Sequence, residues 1–285
     1  MLLLEKRGAE VVITEEVVKA AVGNKENGKE IMMLLLEKRG VEVVITEEVV
    51  KAAAGNRRSG KEMIMLLLEK RGAEVVITEE VVKAAVGNER IGKEIMMLLL
   101  EKRGAEVMIT EEVVKAAAGN WKSGKEVMVL LLEKRGAEIE ITEEVVKAAV
   151  GNEWNGKEIM MLLLEKRGAE VVITEEVVKA AAGNEWNGKE IMMLLLEKRG
   201  VEVVITEEVV KAAAGNECSG KEVMMLLLEK RGAEVIITED ILKAAATSGQ
   251  EEVLHIIDTH LKMLSSLEKW FMFIEARGRT GPSKP

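Results

Sequence analysis

The chain has 285 residues, of which 48% are hydrophobic and 32% are charged, so its composition fits neither a disordered chain nor a membrane protein. Tyrosine is absent and phenylalanine occurs only twice, which is unusual for an ordinary globular core. The net charge of −9 argues against a general binder of nucleic-acid phosphates, and the single cysteine excludes an internal disulfide. The first apolar run is too short for a signal peptide, so we expect a cytoplasmic location.

A 32-residue repeat organises the chain. The motif Glu-Lys-Arg-Gly recurs at this spacing, with its glycines at Gly8, Gly40, Gly72, Gly104, Gly136, Gly168, Gly200 and Gly232. Starting each unit at threonine gives an array over 1–264: a half repeat at 1–13, seven full repeats over 14–237 and a shortened last repeat at 238–264. A fixed period of this length predicts a solenoid, in which each unit buries its apolar faces against its neighbours.

Each unit is predicted to form two helices, as the first full copy illustrates. Thr14 is a typical N-cap residue, and Glu15 with Lys19 would form a favourable i,i+4 pair on the short helix that follows. A second helix is predicted from Asn27, which resembles the start of a capping box, to Gly40. Its six consecutive apolar residues cover every side of the helix, so this helix should be packed between neighbours. The predicted fold class is therefore all-α, an α-solenoid of helix-loop-helix repeats with short extended links.

The end of the second helix resembles that of ankyrin repeats, on the residues Leu-Leu-Leu-Glu-Lys-Arg-Gly-Ala-Glu-Val at 66–75. Residues 78–85 are similar to the ankyrin first helix, although its proline, leucine and histidine are missing and the link is too short for an ankyrin finger. The near-identical copies also resemble the C-terminal repeat arrays of fungal NACHT-type (STAND) receptors. This resemblance covers about residues 1–262 and implies an innate-immunity-like recognition array, usually attached to a nucleotide-binding switch domain.

Two adjacent positions after the Gly-Asn pair that ends the first helix differ most between copies. We call these residues the loop row: Lys25, Glu26, Arg57, Arg58, Glu89, Arg90, Trp121, Lys122, Glu153, Trp154, Glu185, Trp186, Glu217 and Cys218. Because the loop recurs once per layer, the side chains should line one edge of the array. A large aromatic side chain in a polar loop is typical of an interface anchor, although drift would also vary an unconstrained loop. We predict that the loop row binds a protein partner or peptide ligand.

Two further positions vary more mildly. The residue before Gly-Lys is Asn or Ser in six of the seven copies, which suits an N-cap, whereas Ile91 cannot cap. Replacing Ile91 by Ser or Asn is therefore expected to stabilise the array. In the link, Val12 and its equivalents are apolar except for Glu140. Half-buried side chains are favoured there over an exposed apolar ridge.

Three short patterns that could suggest chemistry are interpreted as structural. The run from Gly119 to Lys125 matches Gly-x4-Gly-Lys of a P-loop, but glutamate replaces the magnesium-binding Ser or Thr, and a helix precedes it instead of a strand. His255 and His260 lie five residues apart, so surface histidines are favoured over a metal site. Cys218 has no histidine partner in its motif.

We therefore predict no enzyme activity, no cofactor and no metal. Two alternatives to partner recognition stay open: a structural scaffold or spacer without loop specificity, and, less favoured, phosphate or nucleotide binding at the Gly-x4-Gly-Lys loops. Neither a nucleic acid nor a membrane is expected as a partner.

Both ends of the chain depart from the repeat. A capping box at 265–268, followed by apolar residues at helical spacing, predicts a capping helix over 265–276, with a membrane or partner helix as the alternative. Residues 277–285 are predicted to be a disordered tail. Residues 1–7 begin in mid-helix without a cap, so we expect the half repeat to fray and to drive self-association. The sequence leaves open whether the chain is a fragment of a larger receptor.

Overall fold

The protein is an all-α repeat array. A computed structural model describes the backbone of residues 12–278 and the side chains of residues 12–266. Within this range the chain forms sixteen α-helices and no strand. The predictions for residues 1–11, including fraying and self-association, lie outside the described residues, as do those for residues 279–285.

The helices alternate between a short first helix and a longer second helix in each repeat. The first helices are α1 (Glu15–Gly23), α3 (Glu47–Gly55), α5 (Glu79–Val86), α7 (Glu111–Gly119), α9 (Glu143–Val150), α11 (Glu175–Ala182), α13 (Glu207–Ala214) and α15 (Glu239–Thr247). The second helices are α2 (Gly28–Arg39), α4 (Gly60–Arg71), α6 (Gly92–Arg103), α8 (Gly124–Arg135), α10 (Gly156–Arg167), α12 (Gly188–Arg199), α14 (Gly220–Arg231) and α16 (Glu251–Gly278). Short 3₁₀ turns follow three second helices, at Gly40–Glu42, Gly104–Glu106 and Gly136–Glu138.

The chain divides into two compact units, Met1–Val172 and Ile173–Pro285. In the first unit, the first helices α1, α3, α5, α7 and α9 pack on one another in order, and the second helices α2, α4, α6, α8 and α10 do the same. In the second unit, α11, α13 and α15 form one layer, and α12, α14 and α16 form the other. This stacking of hairpins in two helical layers confirms the predicted α-solenoid fold class.

The apolar core lies between these two layers. In α3, Val50 and Ala53 are fully buried, and the small alanine allows neighbouring first helices to approach closely. In α4, Ile64 and Leu67 are also fully buried. The second helix is packed between neighbours, as predicted, but not on every side, since Met65 is 37% exposed. Its neighbours in the stack and its own first helix cover only part of the circumference, so one face of the second helix stays open.

Threonine side chains join consecutive repeats as well as capping the first helices. Thr46 Oγ1 accepts a hydrogen bond from the backbone N–H of Val49 at 3.4 Å, which confirms the predicted N-cap. Its hydroxyl donates to the carboxylate of Glu15 in the preceding repeat at 2.6 Å. The expected Glu15–Lys19 pair is therefore wrong, and Lys19 pairs instead with Glu16 at 3.0 Å. The same bond from a threonine to the first glutamate of the preceding repeat is made by Thr78, Thr110, Thr142, Thr206 and Thr238, which leaves the second glutamate of those repeats for the lysine.

An arginine at the end of each second helix bonds to the repeat before it. Arg103 donates to the carbonyl oxygens of Gly72 at 3.0 Å and Val75 at 3.2 Å, and so satisfies groups beyond the end of a helix. It also donates to Glu106, and this hydrogen bond is the main reason that the pKa of Glu106 is lowered from 4.5. Equivalent bonds to the preceding repeat are made by Arg71, Arg135, Arg167 and Arg231.

Glycine at the start of the second helix allows a close contact with the first helix of the same repeat. A Cβ atom on Gly124 would lie 2.8 Å from the carbonyl oxygen of Ala117. By contrast, Gly136 at the end of α8 has right-handed helical backbone angles and open space around it. Among the described residues, only Gly249 has a positive φ, at 70°. It lies in the shortened loop of the last repeat, where the chain must turn in fewer residues.

The last helix, α16, is continuous over Glu251–Gly278. A separate capping helix that begins at residue 265 is therefore wrong, and Ser265 donates its hydroxyl to a carbonyl in the preceding turn at 3.0 Å instead of capping a new helix. Val253 and Ile257 are buried, and α16 packs on α14 and α15, so the shortened last repeat still supplies a complete second helix. The tail predicted from residue 277 has its first two residues in this helix.

Candidate functional site

An asparagine occupies the same position in every loop between the two helices of a full repeat, and it is buried in all of them except the first. Asn120 is 5% exposed, and its Oδ1 accepts hydrogen bonds from the backbone N–H groups of Lys122 and Ser123, at 3.1 Å each. Its Nδ2 donates to the carbonyl oxygen of Val86 in the preceding repeat at 2.7 Å. The Asn120 side chain thus hydrogen-bonds both to the loop backbone and to the preceding repeat. The variable residues therefore lie on a turn of fixed geometry.

The sequence analysis did not predict a role for this asparagine. Its invariance between copies could have indicated one, because Asn follows Gly without exception in the seven full copies and directly precedes the most variable pair. The buried equivalents are Asn56, Asn88, Asn152, Asn184 and Asn216.

The structure places the loop row at the surface. All fourteen residues are exposed except Glu89, which is half-buried. In the first unit, a shallow groove of about 410 Å³ is lined by eight of them: Lys25, Glu26, Arg57, Arg58, Glu89, Arg90, Trp121 and Lys122. In the second unit, Glu185, Trp186, Glu217 and Cys218 are exposed, and Trp186 keeps 64% of its surface accessible. The predicted row therefore exists as a surface in the first unit, and its role in binding stays a prediction.

Two tryptophans of the first unit contact each other across adjacent loops. The ring centroids of Trp121 and Trp154 lie 5.7 Å apart with a tilt of 57° between the planes, an arrangement that aromatic pairs favour. Trp121 is 39% exposed and Trp154 is 65% exposed. Asn155 Nδ2 donates to the carbonyl oxygen of Trp121 at 2.6 Å and ties the two loops together. The pair is thus an ordered aromatic surface at one end of the groove, next to Lys122.

The groove carries an excess of positive charge in an otherwise acidic protein. Arg57 and Glu89 pair across adjacent loops at 2.8 Å, so their charges offset each other. The remaining cations of the groove form no ion pair among the residues that the structure describes; they are Lys25, Arg58, Arg90 and Lys122. Only the carboxylate of Glu26 opposes them within the groove. The chain as a whole has a net charge of −9, so this surface differs in sign from the rest.

The residue before Gly-Lys does not cap the second helix. None of the seven second helices from α2 to α14 has a side-chain cap hydrogen bond from this position. Ser123 Oγ donates instead to the carbonyl oxygen of Asn88 in the preceding repeat at 2.9 Å. The capping prediction is therefore wrong, and with it the reason for expecting a more stable array when half-buried Ile91 is replaced.

The Gly-x4-Gly-Lys loops use their backbone donors internally. In the loop after α7, two N–H groups donate to the Asn120 side chain, and the N–H of Gly124 donates to the Asn120 carbonyl at 3.0 Å. A helix precedes the loop, as the sequence predicted. A P-loop cradles phosphates with free backbone N–H groups, so this geometry favours a structural loop over a phosphate site.

The remaining candidates for chemistry are isolated. His255 is exposed, as expected, but the surface placement of His260 is wrong, because its ring is only 8% exposed against the end of the array. Cys218 is an exposed free thiol. In the described part of the chain, no cluster of three or more His, Cys, Asp or Glu side chains could hold a metal ion. No helix in the same range is both long and apolar enough to cross a membrane.

Two apolar surfaces also emerge from the fold. The link side chains that were expected to be half-buried are exposed, because the alternation of the extended link buries Val43 and Ile45 and turns Val44 outward at 59% exposure. A second surface lies between consecutive second helices, where a groove of about 620 Å³ includes Met33 and Leu66. The sequence signal for this groove is the run of six apolar residues, which is wider than one buried helix face requires.

Comparison with known proteins identifies the repeat. The family model described as "Domain of unknown function (DUF7104)" matches the chain eight times in succession, over residues 2–32, 34–64, 66–96, 98–128, 130–160, 162–192, 194–224 and 226–252. The matches cover well over half of the chain, which therefore belongs to this family. No curated protein and no solved structure matches it.

Proposed function

We propose that this array of DUF7104 repeats is a recognition protein, in which the loop row binds a protein partner or peptide. The observation that carries the proposal is the groove in the first unit. It brings together the residues that differ most between copies and holds them on a turn that is the same in every copy. Binding residues are commonly found on loops that a rigid scaffold positions, and this arrangement has both parts.

The aromatic pair adds to this support. Tryptophan is among the residues that contribute most to binding at protein interfaces, and Trp121 and Trp154 keep much of their surface exposed although they are ordered by mutual contact. The resemblance to ankyrin repeats and to the arrays of NACHT-type receptors points to the same class of function. In this proposal the protein acts in the cytoplasm, is not an enzyme and needs no cofactor, and an innate-immune receptor would be its larger context.

A scaffold role is the second candidate, and one observation favours it. The groove between second helices recurs in both units with the same residue types, around Met33 in the first and Met193 in the second. A surface that repeats with little variation suits a spacer or a binder of many identical elements.

A random peptide library displayed on phage and selected against the full chain separates the two candidates. Selected clones are tested again on a loop variant, Trp121→Ser with Trp154→Ser, and on a matched control, Met65→Ser with Met97→Ser. The control residues are 37% and 39% exposed, which is close to the 39% of Trp121, but they lie on second helices. If the loop row is the binding surface, most clones lose roughly thirtyfold in affinity on the loop variant, as expected for aromatic anchors, and keep their affinity on the control.

The opposite pattern would contradict the proposal. Loss of binding on the methionine variant alone would assign recognition to the second-helix face and favour the scaffold. Circular dichroism of both variants checks that the helical array is retained, which we expect because the substituted side chains are exposed.

A further inference from the structure

We propose that the first four loops bind an acidic peptide segment in extended conformation, with one of its apolar side chains against the Trp121–Trp154 pair. The inference rests on the proposed function and specifies the chemistry of the partner. It depends on the sign of the charge in the groove, on the spacing of the loops and on the position of the aromatic pair.

The charge in the groove favours an anionic partner. Lys25, Arg58, Arg90 and Lys122 have no ion-pair partner among the described residues, and they belong to four successive loops. Elsewhere in the array, basic side chains are repeatedly neutralised within their own repeat, as Lys51 is by Glu48 at 2.7 Å. The groove therefore holds a surplus of about three positive charges after Glu26 is counted. Complementary charge speeds association and excludes partners of the wrong sign.

The spacing of the cations fits an extended peptide. Packed helices lie roughly 10 Å apart, so neighbouring loops should present their cations at about this interval. An extended chain advances about 3.3 Å per residue, so about three residues span one layer. A peptide with a carboxylate at every third residue would then meet one cation per loop across the four loops. The same peptide would place an apolar residue against the tryptophans, beyond Lys122.

The carboxylate of Glu26 favours a peptide over a nucleic acid. Glu26 lies among the cations of the groove, and a continuous phosphate backbone would meet it, whereas a peptide can place a neutral residue opposite it. Glu89 is paired with Arg57 at 2.8 Å, so its charge is offset for either class of partner. The aromatic surface lies at one end of the groove only, whereas single-stranded nucleic acids are usually bound by aromatic side chains along the whole path.

Fluorescence anisotropy with labelled synthetic peptides and the full chain tests the proposal. The first peptide has about fourteen residues, with Glu at every third position and Leu near one end, a length that four layers require. A second peptide has the same composition with its glutamates adjacent, and a third has Lys in place of Glu. We expect the spaced acidic peptide to bind roughly tenfold more tightly than the clustered one, and the basic peptide not to bind.

Two charge-reversal variants provide the matched control. Arg58→Glu with Arg90→Glu changes the groove, and Lys102→Glu with Lys134→Glu changes the same number of charges at exposed positions on α6 and α8. The groove variant should lose roughly tenfold or more in affinity for the spaced peptide, while the control should stay within about twofold. Trp121→Ser should weaken the leucine-bearing peptide and leave its leucine-free version unchanged.

Three outcomes would overturn the proposal: equal binding of the spaced and clustered peptides, equal loss in both charge variants, or tighter binding of an oligothymidylate of matched charge. The outcome of this experiment can be distinguished from a failure of the proposed function. If the acidic peptides do not bind but library clones still depend on the loop tryptophans, the loop row recognises a partner of different chemistry, and only the present inference is wrong.

Discussion

Replacing the buried asparagine of one loop should destabilise the array more than any substitution in the variable pair above it. In Asn120→Ala, the Nδ2 group loses its hydrogen bonds to Val86 O at 2.7 Å, Asn88 O at 3.2 Å and Ser123 Oγ at 3.0 Å. The Oδ1 atom loses its two bonds from backbone N–H groups of the loop. Buried partners such as the Val86 carbonyl are then left without a donor.

The first full repeat supplies a matched control. Asn24 is exposed, and its Oδ1 accepts the same two loop bonds, from Glu26 at 3.0 Å and Asn27 at 2.9 Å. Among the described residues, its side chain makes no bond to another repeat. The difference between Asn120→Ala and Asn24→Ala therefore reports the bonds that Asn120 Nδ2 donates, two of which reach the preceding repeat. The two amide hydrogens contribute about 1 kcal/mol each, with a similar penalty for buried partners left unpaired, so the difference should be about 2–3 kcal/mol.

Urea unfolding followed by circular dichroism measures the overall loss of stability. Because repeat arrays can unfold segment by segment, hydrogen exchange of α7 and α8 is needed to locate the loss. Asn120→Asp is a useful third variant, since it keeps the acceptor but removes the donor, and it should be at least as destabilising as alanine. Equal destabilisation by Asn120→Ala and Asn24→Ala would refute a role for the asparagine in joining repeats.

Three further predictions follow from individual contacts. Gly124→Ala should destabilise the array by about 1–3 kcal/mol, because its Cβ would lie 2.8 Å from a carbonyl oxygen of α7. Gly136→Ala, in open space, should be neutral or stabilising by up to about 1 kcal/mol; the urea midpoints of the two variants test this, and equal effects would contradict it. A double-mutant cycle on Trp121 and Trp154, each changed to Ser, should give a coupling energy of about 0.5–1.5 kcal/mol, and zero coupling would mean that the rings do not interact in solution. The pKa is lowered from 4.5, mainly by a hydrogen bond from an arginine, in Glu42, Glu106, Glu138, Glu170, Glu202 and Glu234. Their contribution to stability is complete well above that pH and is lost as the pH falls through the lowered value, so the melting temperature should decrease in acid, and a rise would refute the ion pairs.

The alternation of helices and loops in this protein could be predicted from the sequence because it depends on local chemistry. Thr14 and its equivalents cap helices wherever they occur, and the period of the repeat determines how often a hairpin recurs. The exposure of the variable pair followed in the same way, because polar, changing residues between two helix signals belong to a surface loop.

Two of the predictions that proved wrong concern polar side chains whose partners lie in another repeat. Glu15 has a lysine at helical spacing in its own repeat, and only the stacked structure shows that the hydroxyl of Thr46 takes its carboxylate. Ser123 has the residue type of an N-cap, but its hydroxyl bonds to the preceding layer. Local rules rank the partners within one repeat and contain no information on the groups that stacking brings near.

The sequence by itself therefore determined a helical hairpin of 32 residues, the threonine cap of its first helix and its variable loop, because this cap, the periodicity and the turn residues act over a few bonds. Tertiary structure alone decided three other features: the contact of Trp121 with Trp154, the positive groove across four loops, and the role of Asn120 between layers. Each of these joins residues about one repeat apart in the chain. Their distances are set by how closely the helices pack, and that spacing depends on the side chains of both repeats together.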